Sequence, residues 1–305
     1  MNEQIIELEA FRRKVEKQMY IILSMSILTA LTVAYLVSIR SHIMQLGFFL
    51  LVFVGGGTFL ILGYATGYFS KSKEFKSRYK KIFVEGPFQE IFGKVYCDFK
   101  NGISKEIIDE TDLMMMGNRY YTNDYIKGSY NNVAFERADI KIQNHTSNGK
   151  NSHTVTYFNG RWLILEFNKN FHFDLQIIGK GFYYTDKKNS FFTSEKQRRR
   201  KVEMEDIRFN EHFNVYAQDE HEAFYILTPQ FMLALKGMYD SMDGNLMLGF
   251  IDNKLHVAIN TRKDAMEPSL FRSVMNPNID EVQREIKTII DIIDELNLDR
   301  ELYSI

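Results

Sequence analysis

The sequence predicts an α+β protein in which a two-helix transmembrane hairpin precedes an antiparallel-sheet domain covered by helices. Two observations support this prediction. The first is an apolar run from Gln18 to Ser70, interrupted once at Arg40-Ser41-His42. The second is a series of short strand-like segments, separated by turn residues, between residues 125 and 259.

The apolar run is long enough for two membrane spans, at residues 18–39 and 43–69. A bilayer core needs about 20 apolar residues in helical form. A cleaved signal peptide is the alternative for the first span, but its apolar region would be only about 7–15 residues long. The short turn between the spans requires antiparallel helices. Small residues let helices approach closely, so we expect Gly56, Gly63 and Gly67 to pack against the first span or a second copy.

Charged residues predict the orientation of the spans. The first is preceded by four basic residues, the second is followed by six, and Arg40 alone lies between them. Lys and Arg favour the cytoplasmic side, so both termini are expected there. Residues 1–17 are then a cytoplasmic amphipathic helix, resting on the membrane or docking a partner, and residues 71–305 are a cytoplasmic α+β domain.

Net charge and cysteine content give no indication of nucleic-acid binding and exclude an intramolecular disulfide. The chain has 305 residues, a formal net charge of -1 and a single cysteine, Cys97. The balanced charge gives no reason to expect a nucleic-acid partner. One cysteine excludes an intramolecular disulfide, which fits a reducing compartment.

Turn residues and caps predict the elements of the large domain. A helix from Lys71 to Phe92 is expected to break or kink at Gly86-Pro87. Hairpin turns are predicted at Asn131-Asn132, Asn159-Gly160 and Asp252-Asn253, since Asn and Gly tolerate positive φ. Residues 144–151 and 186–201 are predicted loops. Further predictions are strands at Phe171–Ile178 and Phe213–Tyr216, a helix capped by Thr228-Pro229, and a closing helix after Asn278.

Three groups of residues resemble a known family. They are Asn123-Asp124-Tyr125-Ile126-Lys127-Gly128, then Phe158-Asn159-Gly160-Arg161-Trp162 with Glu166-Phe167-Asn168-Lys169, and Phe213-Asn214-Val215-Tyr216-Ala217 through Glu222-Ala223-Phe224-Tyr225-Ile226-Leu227-Thr228-Pro229. The chain is similar along nearly its whole length to bacterial membrane proteins known as domain of unknown function 3137. The resemblance implies a bacterial plasma (inner) membrane protein with two N-terminal spans. It also suggests an assembly with LemA-type membrane proteins, and it assigns no catalytic residue.

Basic side chains are the candidate binding residues, for an anionic lipid or a partner. Lys and Arg attract anionic headgroups at about 1 kcal/mol each. For the basic residues at positions 71–81, after the second span, the alternative is that they only determine topology. For the cluster at residues 196–201, the alternative is a solvated loop. The candidates are Lys71, Lys73, Lys76, Arg78, Lys80, Lys81, Lys196, Arg198, Arg199, Arg200 and Lys201.

No catalytic motif, metal-ligand spacing or cofactor loop is present in the sequence. We therefore expect no metal and no cofactor. The leading hypothesis is a membrane-anchored binding or scaffold protein whose cytoplasmic domain binds a protein partner or the membrane surface. The expected partners are the lipid bilayer and another membrane protein or a second copy. The competing hypothesis is a membrane-associated enzyme with a site assembled from Asp124, Glu136, Glu166 and Glu222.

Overall fold

The chain forms two compact units. The computed structural model describes residues 2–41, 44–149, 151–166, 174–181, 199–241, 244–262, 266–275 and 280–296. The helical unit contains Met1–Gly86 and Glu267–Ile279, and the sheet unit contains Pro87–Met266 and Asp280–Ile305. Lys71, the predicted start of the large domain, lies within a helix of the helical unit.

Three long helices build the helical unit. They are α1 (Asn2–Ser41), α2 (Met44–Ala65) and α3 (Tyr68–Lys80). The predicted amphipathic helix and the first apolar segment are thus one continuous helix of 40 residues. Gly67 separates α2 from α3 and has a φ of 67°, a left-handed conformation that glycine adopts at little cost.

The N-terminal part of α1 buries its apolar face within the unit. Leu8 packs with Phe75 and Phe83 of the following helical segments and with Val274. All four side chains are at most 6% exposed. The following helical segments and residues 267–275 therefore cover this face at Leu8, whereas Ile6 is 59% exposed, and contact of the segment with the membrane or a partner stays a prediction.

The chain stays helical through Gly86-Pro87, so the predicted break is absent, and the irregularity there is a change of helix type. A π-helical turn, Lys81–Glu85, leads directly into α4 (Gly86–Phe92). The Gly86 N–H donates to the carbonyl of Lys81, five residues earlier. Such a turn is wider than an α-helical one, and we attribute the tolerance of Pro87 to this extra room.

An antiparallel sheet forms the core of the sheet unit. In the described part of the chain its strands follow the order β1-β2-β3-β4-β9-β8-β5-β7-β6. The mixed α+β class predicted from the sequence is confirmed. The strands are β1 (Tyr96–Asp98), β2 (Arg119–Tyr130), β3 (Val133–Ser147), β4 (Ser152–Glu166), β5 (Leu175–Gly179), β6 (Arg200–Val202), β7 (Phe213–Ala217), β8 (Asn245–Ile251) and β9 (Lys254–Asn260).

Two predicted hairpins are confirmed. Tyr130 pairs with Val133 around Asn131-Asn132, whose φ angles are 47° and 65°. Ile251 pairs with Lys254 around Asp252-Asn253. Positive φ at both central residues is the signature of a type I′ turn, so the first hairpin has the geometry that its two asparagines favour.

The predicted hairpin at Asn159-Gly160 is wrong. Strand β4 passes straight through this dipeptide and stays paired with β3, with Gly160 opposite Ile140. A Cβ atom at Gly160 would overlap the carbonyl oxygen of Ile259 on β9. Glycine is therefore needed for close approach of the neighbouring strand. The chain instead reverses between Ser147 and Ser152, within the stretch predicted as a loop.

Helices and a loop cover the sheet. On one face Ile108, Leu113 and Met114 pack over Trp162 and Ile164. The predicted cap of α8 is confirmed, since Thr228 Oγ1 accepts a hydrogen bond from the Phe231 N–H at 3.2 Å. Asn278 lies outside the described residues, as do residues 171–173 of the predicted Phe171–Ile178 strand. The helices are α5 (Lys105–Glu110), α6 (Ile207–His212), α7 (Glu220–Ile226), α8 (Pro229–Ser241) and α9 (Asp280–Glu295).

Replacing Gly160 by alanine tests the close approach of β9. The added methyl group forces β4 and β9 apart, so Gly160→Ala should lower the free energy of unfolding by about 1–3 kcal/mol. Gly237→Ala on α8 is the matched control, because a Cβ there meets nothing within 4 Å. That control should raise stability by up to about 1 kcal/mol. Equal stability of the two variants in thermal unfolding would contradict this account.

Candidate functional site

An exposed apolar surface on α1 and α2 is the main feature of the helical unit. Leu28 and Leu36 on α1 are each 65% exposed, and Phe53 and Ile61 on α2 are 75% and 69% exposed. Soluble proteins rarely expose contiguous apolar surface of this kind without a partner. Other exposed members are Ile21, Leu23, Met25, Ile27, Leu31, Tyr35, Val52, Leu60 and Tyr64.

One helix in the described part of the chain is long and apolar enough to cross a membrane. It covers Glu3–Val37, and only 17% of its most apolar window is buried. A second candidate exists if Leu51–Ala65 and Tyr68–Phe92, which are bent by 66°, count as one span. Length and composition alone support both assignments.

The glycines predicted to pack between helices have different roles. A Cβ at Gly56 would meet nothing within 4 Å, whereas one at Gly55 would lie 3.3 Å from the Ala30 side chain on α1. Gly63 makes room for the ring of Phe69. Gly67 is the left-handed residue between α2 and α3. The close contact of α1 with α2 therefore uses Gly55, which the sequence analysis did not single out.

The basic residues on α3 are largely engaged in contacts within the helical unit. Lys71 Nζ donates to Gln18 Oε1 at 3.0 Å. Arg78 pairs with Glu74 at 2.6 Å and with Glu7 at 3.4 Å. Lys76 is exposed and pairs with Glu267. Lys73 and Lys81 are also exposed.

Lys80 and Arg199 are placed in the interior, which corrects their assignment as surface binding residues. The Lys80 side chain is 5% exposed and pairs with Glu267 at 2.8 Å. The Arg199 side chain is fully buried between Asp112, at 3.0 Å, and Asp174, at 3.2 Å. Neither cation is available to a lipid headgroup.

The last two residues of the later basic cluster, residues 196–201, form part of a strand. Arg200 and Lys201 belong to β6 and pair with Ala217 and Tyr216 of β7. Lys201 also forms an ion pair with Glu203 at 2.7 Å. Lys196 and Arg198 lie outside the described residues.

The four carboxylates considered for an enzymatic site lie on four separate elements. Asp124 on β2 is buried and accepts a hydrogen bond from Asn123. Glu136 on β3 pairs with Lys127 at 3.1 Å. Glu166 on β4 is exposed and accepts from Asn253, and Glu222 is on α7. Within the described residues no group of three or more potential metal ligands is present.

A buried ion network joins α9 to the sheet. Arg137 on β3 donates to Asp139 Oδ1 at 2.7 Å and to Glu285 Oε2 on α9 at 3.1 Å. Its third contact, at 3.1 Å, is the backbone carbonyl of Asp124, a bulge residue with a φ of 57°. Glu285 also pairs with Arg161 of β4. Burial alone would lower the pKa of Arg137, but the neighbouring carboxylates raise it above its ordinary value, so the guanidinium stays charged.

A buried histidine lies on the face of the sheet opposite the ion network, beside the only tryptophan in the sequence. His256 is 3% exposed, and its Nδ1 accepts a hydrogen bond from Trp162 Nε1 at 3.2 Å. Burial lowers the pKa of His256 to about 3. The imidazole is therefore neutral at physiological pH and acts as a core residue.

Sequence reasoning missed the buried ion network, although a signal for it exists. Phe135, Arg137 and Asp139 alternate along β3 and so share one face of the strand. Glu285 lies three residues after Val282 on α9, within the apolar face of the helix. A charged residue inside an apolar stripe indicates a buried partner of opposite charge.

Comparison with known proteins assigns part of the chain to a family. The model of a family described as "Protein of unknown function (DUF3137)" matches residues 156–298. The resemblance to domain of unknown function 3137 is thereby confirmed over these residues. No curated protein matches the chain.

One solved structure is similar to the chain at low sequence identity. It is the crystal structure of the mycobacterial trehalose monomycolate transport factor A, TtfA, with 9% identity. The match covers 72% of this chain and 95% of that chain at a TM-score of 0.36. A likeness of this size supports no conclusion about fold or function.

Removing Glu285 tests the buried ion network. Glu285→Ala leaves buried arginine charge without its carboxylate, so the free energy of unfolding should fall by about 3–5 kcal/mol. Glu281→Ala on the same helix is the matched control. Glu281 pairs with Arg284, whose side chain is 56% exposed. Loss of that pair should cost about 0–1 kcal/mol. Similar losses in both variants would contradict a stabilising role of Glu285.

The pH dependence of stability tests the neutral histidine. An unfolded histidine takes up a proton below about pH 6.5, whereas folded His256 does so only near pH 3. Between these values its contribution to stability should fall by about 1.4 kcal/mol for each unit of decreasing pH. His256→Gln removes the titrating group and keeps an acceptor for Trp162. Chemical unfolding from pH 6.5 to 4.5 should show a shallower decline for the variant, and equal slopes would refute the assignment.

Proposed function

We propose that this chain is a membrane-anchored binding protein. In this proposal α1 and α2 cross a bacterial plasma membrane, both termini are cytoplasmic, and the sheet unit binds a protein partner. The exposed apolar surface of α1 and α2 is the observation that carries the proposal. A helix buried in a soluble core would hide these side chains, whereas lipid covers them without further protein.

The lengths of the two helices support crossing of a bilayer. Residues 18–39 of α1 and Met44–Ala65 of α2 each contain 22 residues, which correspond to about 33 Å of helix. A hydrocarbon core is about 30 Å thick. Gln18 and Lys71, which contact each other, would then mark the cytoplasmic end of both spans.

The sheet unit offers surfaces for a protein partner. Ile207 on α6 and Leu233 on α8 are 75% and 72% exposed, and Tyr225 on α7 is 45% exposed. These side chains lie on three consecutive helices. The family resemblance suggests a LemA-type membrane protein or a second copy as the partner.

Labelling of Cys97 tests the proposed topology. Cys97 is the only cysteine, lies on the edge strand β1 and is partly exposed. A membrane-impermeant maleimide should leave Cys97 unlabelled in sealed right-side-out vesicles and label it in inside-out vesicles, because the sheet unit is cytoplasmic.

The control is Ser41→Cys in a Cys97→Ser background, which places the thiol at the last residue of α1, the end that the proposal puts outside the cytoplasm. This variant should show the reverse pattern, with labelling in right-side-out vesicles. Labelling of wild-type Cys97 in sealed right-side-out vesicles would refute the orientation. Labelling of both thiols from the same side would refute the two-span arrangement.

A further inference from the structure

The segment Glu267–Met275, which we call the strap, connects β9 to α9 in sequence but packs within the helical unit. At one end, Glu267 pairs with Lys76 at 2.7 Å and Lys80 at 2.8 Å on α3. At the other end, the Val274 N–H donates to Glu9 Oε2 on α1 at 2.9 Å. The strap is therefore attached to the helical unit at both of its ends.

Buried charges on α1 fix the middle of the strap. Arg12 donates to the carbonyl of Leu270 and also bonds to Glu9 at 2.9 Å. Glu9 and Arg12 are 5% and 6% exposed. The hydrogen bond from Arg12 contributes most to lowering the pKa of Glu9, to about 2, so the carboxylate stays ionised. A backbone clamped by such charge-assisted bonds holds a defined position.

The strap contacts place its tip at the start of the apolar run. Val274 contacts α1 at Glu9, whereas the Phe271 ring lies 6.4 Å from the ring of Tyr20. Leu270 packs beside Ile22 and Tyr68. Tyr20 is three residues beyond Lys17, about one helical turn into the uncharged stretch. Leu270 and Phe271 are therefore the strap residues that contact the start of the apolar part of α1.

The tip exposes an aromatic side chain beside a basic one. Phe271 is 61% exposed although it contacts Tyr20, and the adjacent Arg272 is also exposed. Aromatic rings are enriched where a bilayer meets water, and basic side chains there meet lipid phosphate. Through its contact with Tyr20, Phe271 adjoins the exposed apolar side chains of α1.

We propose that the tip of the strap is a third membrane contact, with Phe271 in the headgroup layer and Arg272 at the lipid phosphates. The occupant of this surface is the bilayer itself. This inference rests on the proposed function, because it requires that α1 enters the membrane just beyond Lys17. A protein that covers Phe271 is the other outcome, and the experiment separates the two.

Depth-dependent quenching in reconstituted vesicles tests the inference. The full chain, in a Cys97→Ser background, receives an environment-sensitive fluorophore at Phe271→Cys. The vesicles contain phosphatidylethanolamine and phosphatidylglycerol, with a spin label either at the headgroup or deep in the acyl chain. The Phe271→Cys probe should lose fluorescence with the headgroup label and little with the deep label.

Two further probes serve as controls. Ile207→Cys carries the fluorophore at a similarly exposed apolar position, 75% exposed, in the sheet unit and measures the attraction of the fluorophore itself to lipid. Leu28→Cys, at a 65% exposed position on α1, should be quenched by the deep label. Quenching at residue 271 equal to that at residue 207 would indicate attraction of the fluorophore to lipid and would overturn the inference.

The outcomes separate the inference from the proposed function. Quenching at residue 28 without quenching at residue 271 overturns the inference and leaves the membrane anchor intact. A protein partner would then be the expected occupant of the surface at Phe271. Absence of quenching at both positions overturns the anchor and the inference together. Headgroup quenching at residue 271 with none at residue 207 supports the strap as a membrane contact.

Discussion

The exposed apolar surface of α1 and α2 is the constraint on which the account depends. Covering one such side chain completely is worth about 1.5–3 kcal/mol, and more than ten are exposed in the described part of these helices. That surface must be covered by lipid or by other protein. In the proposed arrangement a bilayer covers the whole surface at once, and the basic residues of α1 that precede Gln18 lie on the same side as those that follow α2.

Buried ion pairs occur in both units and have a role that is independent of the apolar surface. Arg12 holds the strap, Arg137 joins α9 to β3, and Arg199 binds Asp112 and Asp174. Desolvation offsets much of the attraction within such pairs, so they are weak evidence for stability. We assign them a positional role. Each buried arginine needs its carboxylate or carbonyl partner within hydrogen-bond distance, so it favours the one packing arrangement that provides it.

Local sequence predicted those elements whose cause is local. The turn at Asn131-Asn132 and the cap at Thr228 depend on a few neighbouring residues, and both were predicted. Asn159-Gly160 has the same local signal, but β4 continues because β3 and β9 pair on both sides of it. Arg199 was assigned to the surface because its partner Asp112 is 87 residues away in sequence. The strap was missed for the same reason.

Membrane partition of the full chain tests the central claim most directly. Membranes containing the protein are washed with alkaline carbonate and then floated on a density gradient, before and after addition of mild detergent. The account predicts that the chain floats with lipid after the carbonate wash and leaves the membrane only with detergent. Release by carbonate as a monodisperse soluble protein would contradict it, because the apolar surface of α1 and α2 would then be covered without a bilayer.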